Sequence, residues 1–301
     1  MNVIVRGAVP DCLRLGQYGA CFKHYWTHMT VTHTRSPLAD KHVVVVGGSS
    51  GIGFTTARCA TLAGAQVTFV ARNRIRLREA AESMCGARVL NADLDDAAEI
   101  SRIFQGLPEI DHLVITTGTP SFRSLKESES RDLQRIVKET LTGPLWMTKC
   151  AMGRLRESGS VTLTSSPSTY RLVGMEAVTA GSVAAMETIG RALAMELWPV
   201  RVNVVSPGMT DTSMLDMLLG AEMTPMLNDA MAPSPAACVS NADDVANAAL
   251  FLMSAGAVTG EVLHVDGSGR WAGNSGSLEG LTFRAPLPGR AGGMEQYRNQ
   301  W

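Results

Sequence analysis

The chain has 301 residues, 45% of them hydrophobic and 18% charged, with a formal net charge of −1 from 27 basic and 28 acidic side chains. At about 150 residues per domain this length allows two domains, but single α/β domains reach about 250 residues, so one domain with tails is equally open. The balanced charge, with no dense Lys/Arg block, excludes the electrostatic footprint of a nucleic-acid binder. No window approaches about 18 consecutive apolar residues, so no membrane-spanning helix is expected. The six cysteines are scattered without a C-x-x-C pair, which predicts a reducing, cytoplasmic setting rather than a disulfide framework.

Residues 1–40 carry Arg6, Arg14, Lys23 and Arg35 against only Asp11 before Asp40, and lack the apolar core of about 7–15 residues that a secretory signal needs. This acid-poor leader weakly resembles a mitochondrial transit peptide, the alternative to a cytoplasmic location. It reads as a disordered segment, or as a mis-assigned start upstream of Met29. Cys21, His24, His28 and His33 have the short spacings of metal ligands, but as members of that leader they are read as no metal site.

A regular pattern begins at Lys41. Val43-Val44-Val45-Val46 is the β-branched run of a strand buried on both faces. Gly47-Gly48-Ser49-Ser50-Gly51-Ile52-Gly53 follows, and a helix is predicted over 52–63, closed by Gly64 at the C′ position. Further strand-like runs at 66–70, 88–90, 112–116, 160–164, 201–205 and 261–265 alternate with helix-length segments. Seven strands alternating with helices predict a Rossmann-like, doubly wound parallel sheet with helices on both faces. The domain is placed at 41–270, with a Gly-rich tail over 271–301.

The glycines lie between a buried strand and a helix. There, missing side chains let backbone N–H groups and the positive helix end approach a pyrophosphate, which nominates Gly47, Ser49, Ser50, Gly51, Ile52 and Gly53 as cofactor residues. After the second strand come Arg72, Asn73, Arg74 and Arg76, with no carboxylate to hold a free ribose 2′-hydroxyl. Guanidinium groups suit a 2′-phosphate, so NADP(H) is expected, with Arg72 and Asn73 at the site. Arg74 and Arg76 read equally well as a solvated helix face. Asp93, followed by Leu94, sits where a carboxylate accepts from the adenine amino group; alternatively it caps a helix starting near Asp95.

Val46-Gly47-Gly48-Ser49-Ser50-Gly51-Ile52-Gly53, Arg201-Val202-Asn203, Pro207-Gly208-Met209-Thr210-Asp211-Thr212 and Val265-Asp266-Gly267 occur in the order of the short-chain dehydrogenase/reductase family, which the chain resembles from about 41 to 269. The resemblance adds Gly118, Pro207, Gly208, Thr210 and Thr212 to the cofactor residues. It implies a tyrosine that exchanges the substrate proton, a lysine four residues later that lowers its pKa, a serine 13 residues earlier that orients the substrate oxygen, and an asparagine on the preceding helix.

Aligned on Gly190-Arg191-Ala192-Leu193-Ala194 without a gap, the tyrosine position holds Thr179, the lysine position Val183 and the asparagine position Thr140. The serine is retained as Ser166, with Ser165 as a register alternative. Thr179 cannot ionise near neutral pH and Val183 offers no hydrogen bond. General acid catalysis is worth roughly 10²–10⁴-fold, so ordinary ketone reduction should be poor. Tyr170 on the loop after Ser166 is a substitute acid or a ring packed by its face; Glu176 and Arg171 on that loop read as solvated charge, and His112 as a structural histidine.

The methionine-rich residues 209–231 suggest an adaptable cover over an apolar substrate, or an ordinary core stripe. The helices holding 140–150 and 179–197 would form the oligomer interface usual in the family, giving a homodimer or homotetramer. The expected activity is an NADP-dependent oxidoreductase of secondary metabolism, acting on an apolar small molecule such as an iminium or a conjugated acceptor. Two alternatives remain: a redox-silent isomerase or cyclase, and a non-catalytic scaffold.

Overall fold

The computed structural model describes residues 35–84, 86–94, 96–118, 124–170, 172, 176–212 and 240–271. The chain divides after Ser36, and every element below belongs to the unit that starts at Pro37. The leader through 34, the methionine-rich residues beyond 212, Arg171 and the tail from 272 lie outside the described residues.

The valine run becomes β1 (His42–Val46), with all five residues buried. In chain order there follow α1 (Gly51–Leu62), β2 (Gln66–Ala71), α2 (Arg74–Glu82), β3 (Arg88–Asn91), α3 (Ala97–Gln105) and β4 (Ile110–Ile115). Then come α4 (Ser130–Val137), a π-helical turn (Lys138–Thr142), α5 (Gly143–Ala151) and β5 (Leu155–Thr164). After a 3₁₀ turn (Pro167–Thr169) the chain forms α6 (Ala177–Glu196), β6 (Arg201–Pro207), and the short β7 (Thr210–Asp211) and β8 (Ser240–Asn241). The last elements are α7 (Ala242–Ser254), β9 (Val262–Val265) and a 3₁₀ turn (Gly269–Trp271).

Seven strands form one sheet in the order β3-β2-β1-β4-β5-β6-β9, every neighbouring pair parallel. Successive side chains of β1 point to opposite faces. Val44 and Val46 join Phe104 of α3, Met147 of α5 and Met186 of α6 on one side. Val43 and Val45 join Ala57 of α1, Leu77 of α2 and Met253 of α7 on the other. Each fully buried valine contributes about 1.5–3 kcal/mol of burial free energy, which fixes β1 at the centre. β2 lies on one side of β1 and β4 on the other, so the chain reverses its winding there and opens a crevice at the strands' carboxyl ends.

The Arg201-Val202-Asn203 motif is architectural. Arg201 donates to the carbonyls of Leu252 (2.7 Å) and Met253 (2.6 Å), satisfying the last turn of α7. The Asn203 amide donates to Val258 O and its carbonyl accepts from Glu261 N, both at 3.0 Å. Together they hold the turn leading into β9.

Two boundaries differ from expectation. β5 begins at Leu155, which pairs with Ile110 of β4, rather than at 160; its first half is exposed and lacks the apolar pattern that marks a strand in sequence. The helix after β3 starts at Ala97, so Asp96 is its cap, accepting from Ala98 N (2.8 Å) and Glu99 N (3.0 Å). Asp93 does not cap it; its carbonyl accepts from Asp96 N instead. Gly64 does take the expected C′ conformation, with φ +87°.

Candidate active site

The crevice is built first by glycine. Gly47 leaves β1 at φ +90°, and a Cβ there would lie 2.8 Å from Thr116 Oγ1 at the end of β4. Gly53, in the first turn of α1, is tighter still: a Cβ would overlap Gly47 O and Thr116 Oγ1 and sit 2.9 Å from the Gly47 carbonyl carbon. Gly51 meets Thr212 of the turn after β6, its hypothetical Cβ 3.3 Å from the threonine methyl.

Ser50, the N-cap of α1, makes no side-chain capping bond, and the first turn holds no acid. Ser49 is half-buried beside it. Ile52 packs on the cluster of Val205, Val245 and Leu252, which anchors the helix start. Uncapped amides and a positive helix end at a glycine loop form a donor set suited to a diphosphate.

At the neighbouring strand ends, Ala71 of β2 pairs with Asn91 of β3. The Asn91 amide donates to Ala71 O (3.1 Å) and Arg72 O (2.8 Å), fixing the chain as it leaves β2. Arg72, Arg74 and Arg76 are exposed. The Asn73 side chain is committed locally: its oxygen accepts from Ile75 N and Arg76 N, both at 3.0 Å, and caps α2. Asn73→Ala should therefore cost about 1 kcal/mol of stability in urea unfolding of the cofactor-free protein. Asp93 is exposed, its amide donating to Glu99 Oε2 (2.9 Å), while Leu94 packs on the core.

Across the crevice, Pro207 ends β6 and Gly208 N donates to Val265 O (2.8 Å). A Cβ on Gly208 would lie 2.8 Å from Asp266 Cα. Thr210 Oγ1 donates to Gly208 O (2.8 Å) and Thr212 Oγ1 to Thr210 O (3.3 Å), which shapes the turn that reaches Gly51. Asp266 accepts from Ser268 N, Arg270 N and Arg270 Nη1, the last at 2.7 Å.

Gly118, at φ +127°, follows β4 and faces the π-helical turn, a Cβ there lying 3.6 Å from Thr140 Cγ2. The Thr140 hydroxyl donates back to Ile136 O (2.7 Å) and is buried. Thr179 and Val183 are both buried on α6. Val183 contributes its carbonyl, which accepts from Ser165 Oγ at 3.3 Å.

The loop after β5 differs most from expectation. Ser166 Oγ accepts from Ser168 N (3.3 Å) and shares a hydrogen bond with Ser168 Oγ (3.1 Å). Ser168 Oγ donates to Glu176 Oε2 at 2.9 Å. Glu176 is only 3% exposed, so it is no solvated loop charge. The Ser168 hydroxyl supplies it with a donor, as a buried carboxylate requires.

Tyr170 OH donates to Glu187 Oε2, and Ser165 Oγ to Glu187 Oε1, both at 2.9 Å. The Tyr170 ring packs edge-on against His264, with centroids 5.1 Å apart, and against Trp271. Burial and the Glu187 carboxylate push its phenol above the ordinary value, against a smaller opposing pull from Arg191. That direction is away from the neutral range a general acid needs.

The sequence signal for Glu187 is a carboxylate within a largely apolar stretch of α6, which no motif marks as part of the site. His112 is buried in β4, its Nδ1 bonded to Ser160 Oγ (2.9 Å). Among the described residues no group of three His, Cys, Asp or Glu side chains is placed to hold a metal ion, and no helix is long and apolar enough to cross a membrane.

A family model described as enoyl-(acyl carrier protein) reductase matches residues 46–268. The short-chain dehydrogenase/reductase ATR9 of Stachybotrys chlorohalonatus is 30% identical over 251 residues, 76% of this chain and 97% of that protein. Among solved structures, the MalC reductase/Diels-Alderase of Malbranchea aurantiaca has a TM-score of 0.71 at 27% identity, covering 78% of this chain and 98% of its own. BdcA, solved in complex with NADPH, has a TM-score of 0.70 at 26% identity, covering 77% and 95%.

Proposed function

Because the chain belongs to the short-chain dehydrogenase/reductase family, a family of oxidoreductases, we propose that it is an NADP(H)-dependent enzyme of atypical chemistry, acting on an apolar metabolite. The carrying observation is the glycine cradle at Gly47, Gly51 and Gly53 beside exposed Arg72. The absence of a Cβ at Gly53 lets the start of α1 pack directly on the Gly47 carbonyl and Thr116, which holds the uncapped helix end at the crevice where a diphosphate would lie. In this reading Gly47, Ser49, Ser50, Gly51, Ile52 and Gly53 hold the diphosphate, Arg72 and Asn73 the 2′-phosphate end, and Asp93 and Leu94 the adenine. Gly118, Pro207, Gly208, Thr210 and Thr212 line the nicotinamide side.

When bound, the cofactor supplies a two-electron hydride donor or acceptor. The protein's own residues do the rest. Ser166 orients the substrate's polar atom from the loop after β5, while Thr140 and Thr179 shape the wall. Val183, buried and apolar, places no cation beside the reacting atoms, so no phenol–amine pair moves a proton there. An iminium or a conjugated acceptor suits such a site, because neither demands proton donation by a tuned phenol at the moment of reduction. Exposed Trp146, Met152, Met195 and Trp198, on or next to α5 and α6, support a homodimer or homotetramer formed through those helices.

A redox-silent cyclase is the second reading. It is supported by the likeness to a protein described as both reductase and Diels-Alderase, since orientation in a shaped pocket alone lowers a barrier.

Calorimetric titration with NADPH and NADH tests the cofactor assignment. Wild type should bind NADPH the more tightly. Arg72→Ala should weaken NADPH by roughly tenfold, the loss of one charge-assisted hydrogen bond of about 1.5–3 kcal/mol being tempered by its exposure, and leave NADH unchanged. Equal affinities in wild type would remove the NADP preference, and binding of neither would overturn the cofactor reading.

A further inference from the structure

Glu176 and Glu187 are both buried, and their surroundings differ. Glu187 is closed off: it accepts from Ser165 and Tyr170, and it sits two turns along α6 from Thr179. Glu176 is joined by side-chain hydroxyls to the one polar group retained at the reacting position. From Ser166 Oγ to Ser168 Oγ is 3.1 Å, and from Ser168 Oγ to Glu176 Oε2 is 2.9 Å. Each gap is a single hydrogen bond, and each hydroxyl both donates and accepts, so a proton crosses the chain by rotation and exchange alone. Glu176 precedes the first residue of α6, and its side chain makes no capping bond there.

We propose that Ser166, Ser168 and Glu176 form a proton relay that stands in for the missing phenol, so that the substrate of this site bears an oxygen that gains or loses a proton: a carbonyl, isolated or conjugated, and its alcohol. The proposal rests on the NADP(H) reading and commits its substrate to a carbonyl or alcohol in place of an iminium. The observed donor order, with Ser168 donating to the carboxylate, is the accepting arrangement. In alcohol oxidation the carbinol C–H bond breaks and its hydrogen leaves with both electrons to the oxidised nicotinamide, which is reduced. The alcohol O–H proton passes to Ser166 Oγ, the Ser166 proton to Ser168 Oγ, and the Ser168 proton to Glu176 Oε2, leaving a neutral carboxylic acid and a carbonyl product. Carbonyl reduction runs the same steps backwards from protonated Glu176. Ser166 touches the substrate; Ser168 and Glu176 act through it.

The experiment uses the full chain loaded with NADPH, and two probes read in single turnover: 2-cyclohexenone as the carbonyl and N-methyl-3,4-dihydroisoquinolinium as the iminium, which needs no proton. Glu176→Gln is isosteric, and Ser168→Ala removes one small half-buried hydroxyl. Both variants should slow the carbonyl probe by about 100-fold, the middle of the range for general acid catalysis, and leave the iminium probe and NADPH affinity within a few fold. Formate should restore part of the carbonyl rate to Glu176→Ala. Independently of turnover, infrared difference spectra of the cofactor-free protein, wild type minus Glu176→Gln, identify the Glu176 carboxyl band, which Ser168→Ala must move.

Equal slowing of both probes, an unslowed carbonyl probe, a wild type inert to the carbonyl probe, or an unmoved infrared band overturns the relay. Failure of wild type to bind NADPH overturns the functional reading instead, and the infrared band then decides whether the hydroxyl chain to Glu176 exists.

Discussion

Gly53→Ala is expected to weaken NADPH binding by about 100-fold in calorimetric titration. The methyl group would overlap the Gly47 carbonyl oxygen and Thr116 Oγ1. Neither neighbour yields easily, since Gly47 is backbone at φ +90° and Thr116 Oγ1 is bonded to Val46 O at 3.0 Å. Overpacking of this kind costs about 1–3 kcal/mol, and each 1.4 kcal/mol that falls on the bound geometry is about tenfold in affinity. The loop can relieve the clash only by lifting α1 away from the end of β4, which displaces the uncapped amides from the place where a diphosphate would lie. Gly153→Ala is the control, because a Cβ at that surface turn meets nothing within 4 Å. If Gly53→Ala lost thermal stability but bound NADPH as well as wild type, the cradle would be structural and the cofactor would have to sit elsewhere.

The same loop explains what was legible in the sequence. Its meaning is local: a buried strand, a glycine run and a helix are contiguous, so periodicity and residue type state the arrangement before any fold is known. The seven strands were readable for the same reason, each being a short β-branched or apolar run, and the exposed front half of β5 was missed because it lacks that pattern. Glu176 was misread because its environment is made by tertiary contact. Eight positions separate it from Ser168, and sequence alone does not reveal that the two side chains meet. Glu187 and Tyr170 are 17 residues apart and meet only because the loop after β5 lies along α6. The likeness to short-chain dehydrogenases identifies the framework, while contacts such as those of Glu176 and Glu187 become readable only from their distances.

Acidification should cost this protein about 2 kcal/mol of stability between pH 7.5 and pH 5, through His112 alone. Burial in the middle of the sheet pushes its pKa down from 6.5 to about 4; Asp111 opposes this shift, and Arg201 and Lys41 add to it. The folded chain therefore keeps His112 neutral at pH 5, while the unfolded chain protonates it. The unfolded state binds the extra proton, so stability falls as pH drops below about 6.5 and levels off near pH 4, where the folded form also titrates. At about 1.4 kcal/mol per pH unit of separation, the full loss approaches about 3.5 kcal/mol.

His264, whose pKa burial also lowers, adds a smaller loss of the same sign. Asp111 acts in a separate, more acid window. Burial pushes its carboxyl up, but the His42 amide at 2.9 Å and Lys41 at 3.0 Å outweigh that and hold it below 3.8, so its contribution is lost only as pH falls below that value. Urea unfolding of wild type and His112→Asn at both pH values separates these contributions. The variant should be less stable at pH 7.5, having lost the imidazole bonded to Ser160, and its stability should change by about 2 kcal/mol less on going to pH 5. An identical pH dependence in the two proteins would mean that His112 titrates in the folded chain as it does in water, and would overturn its assignment as the group that sets this window.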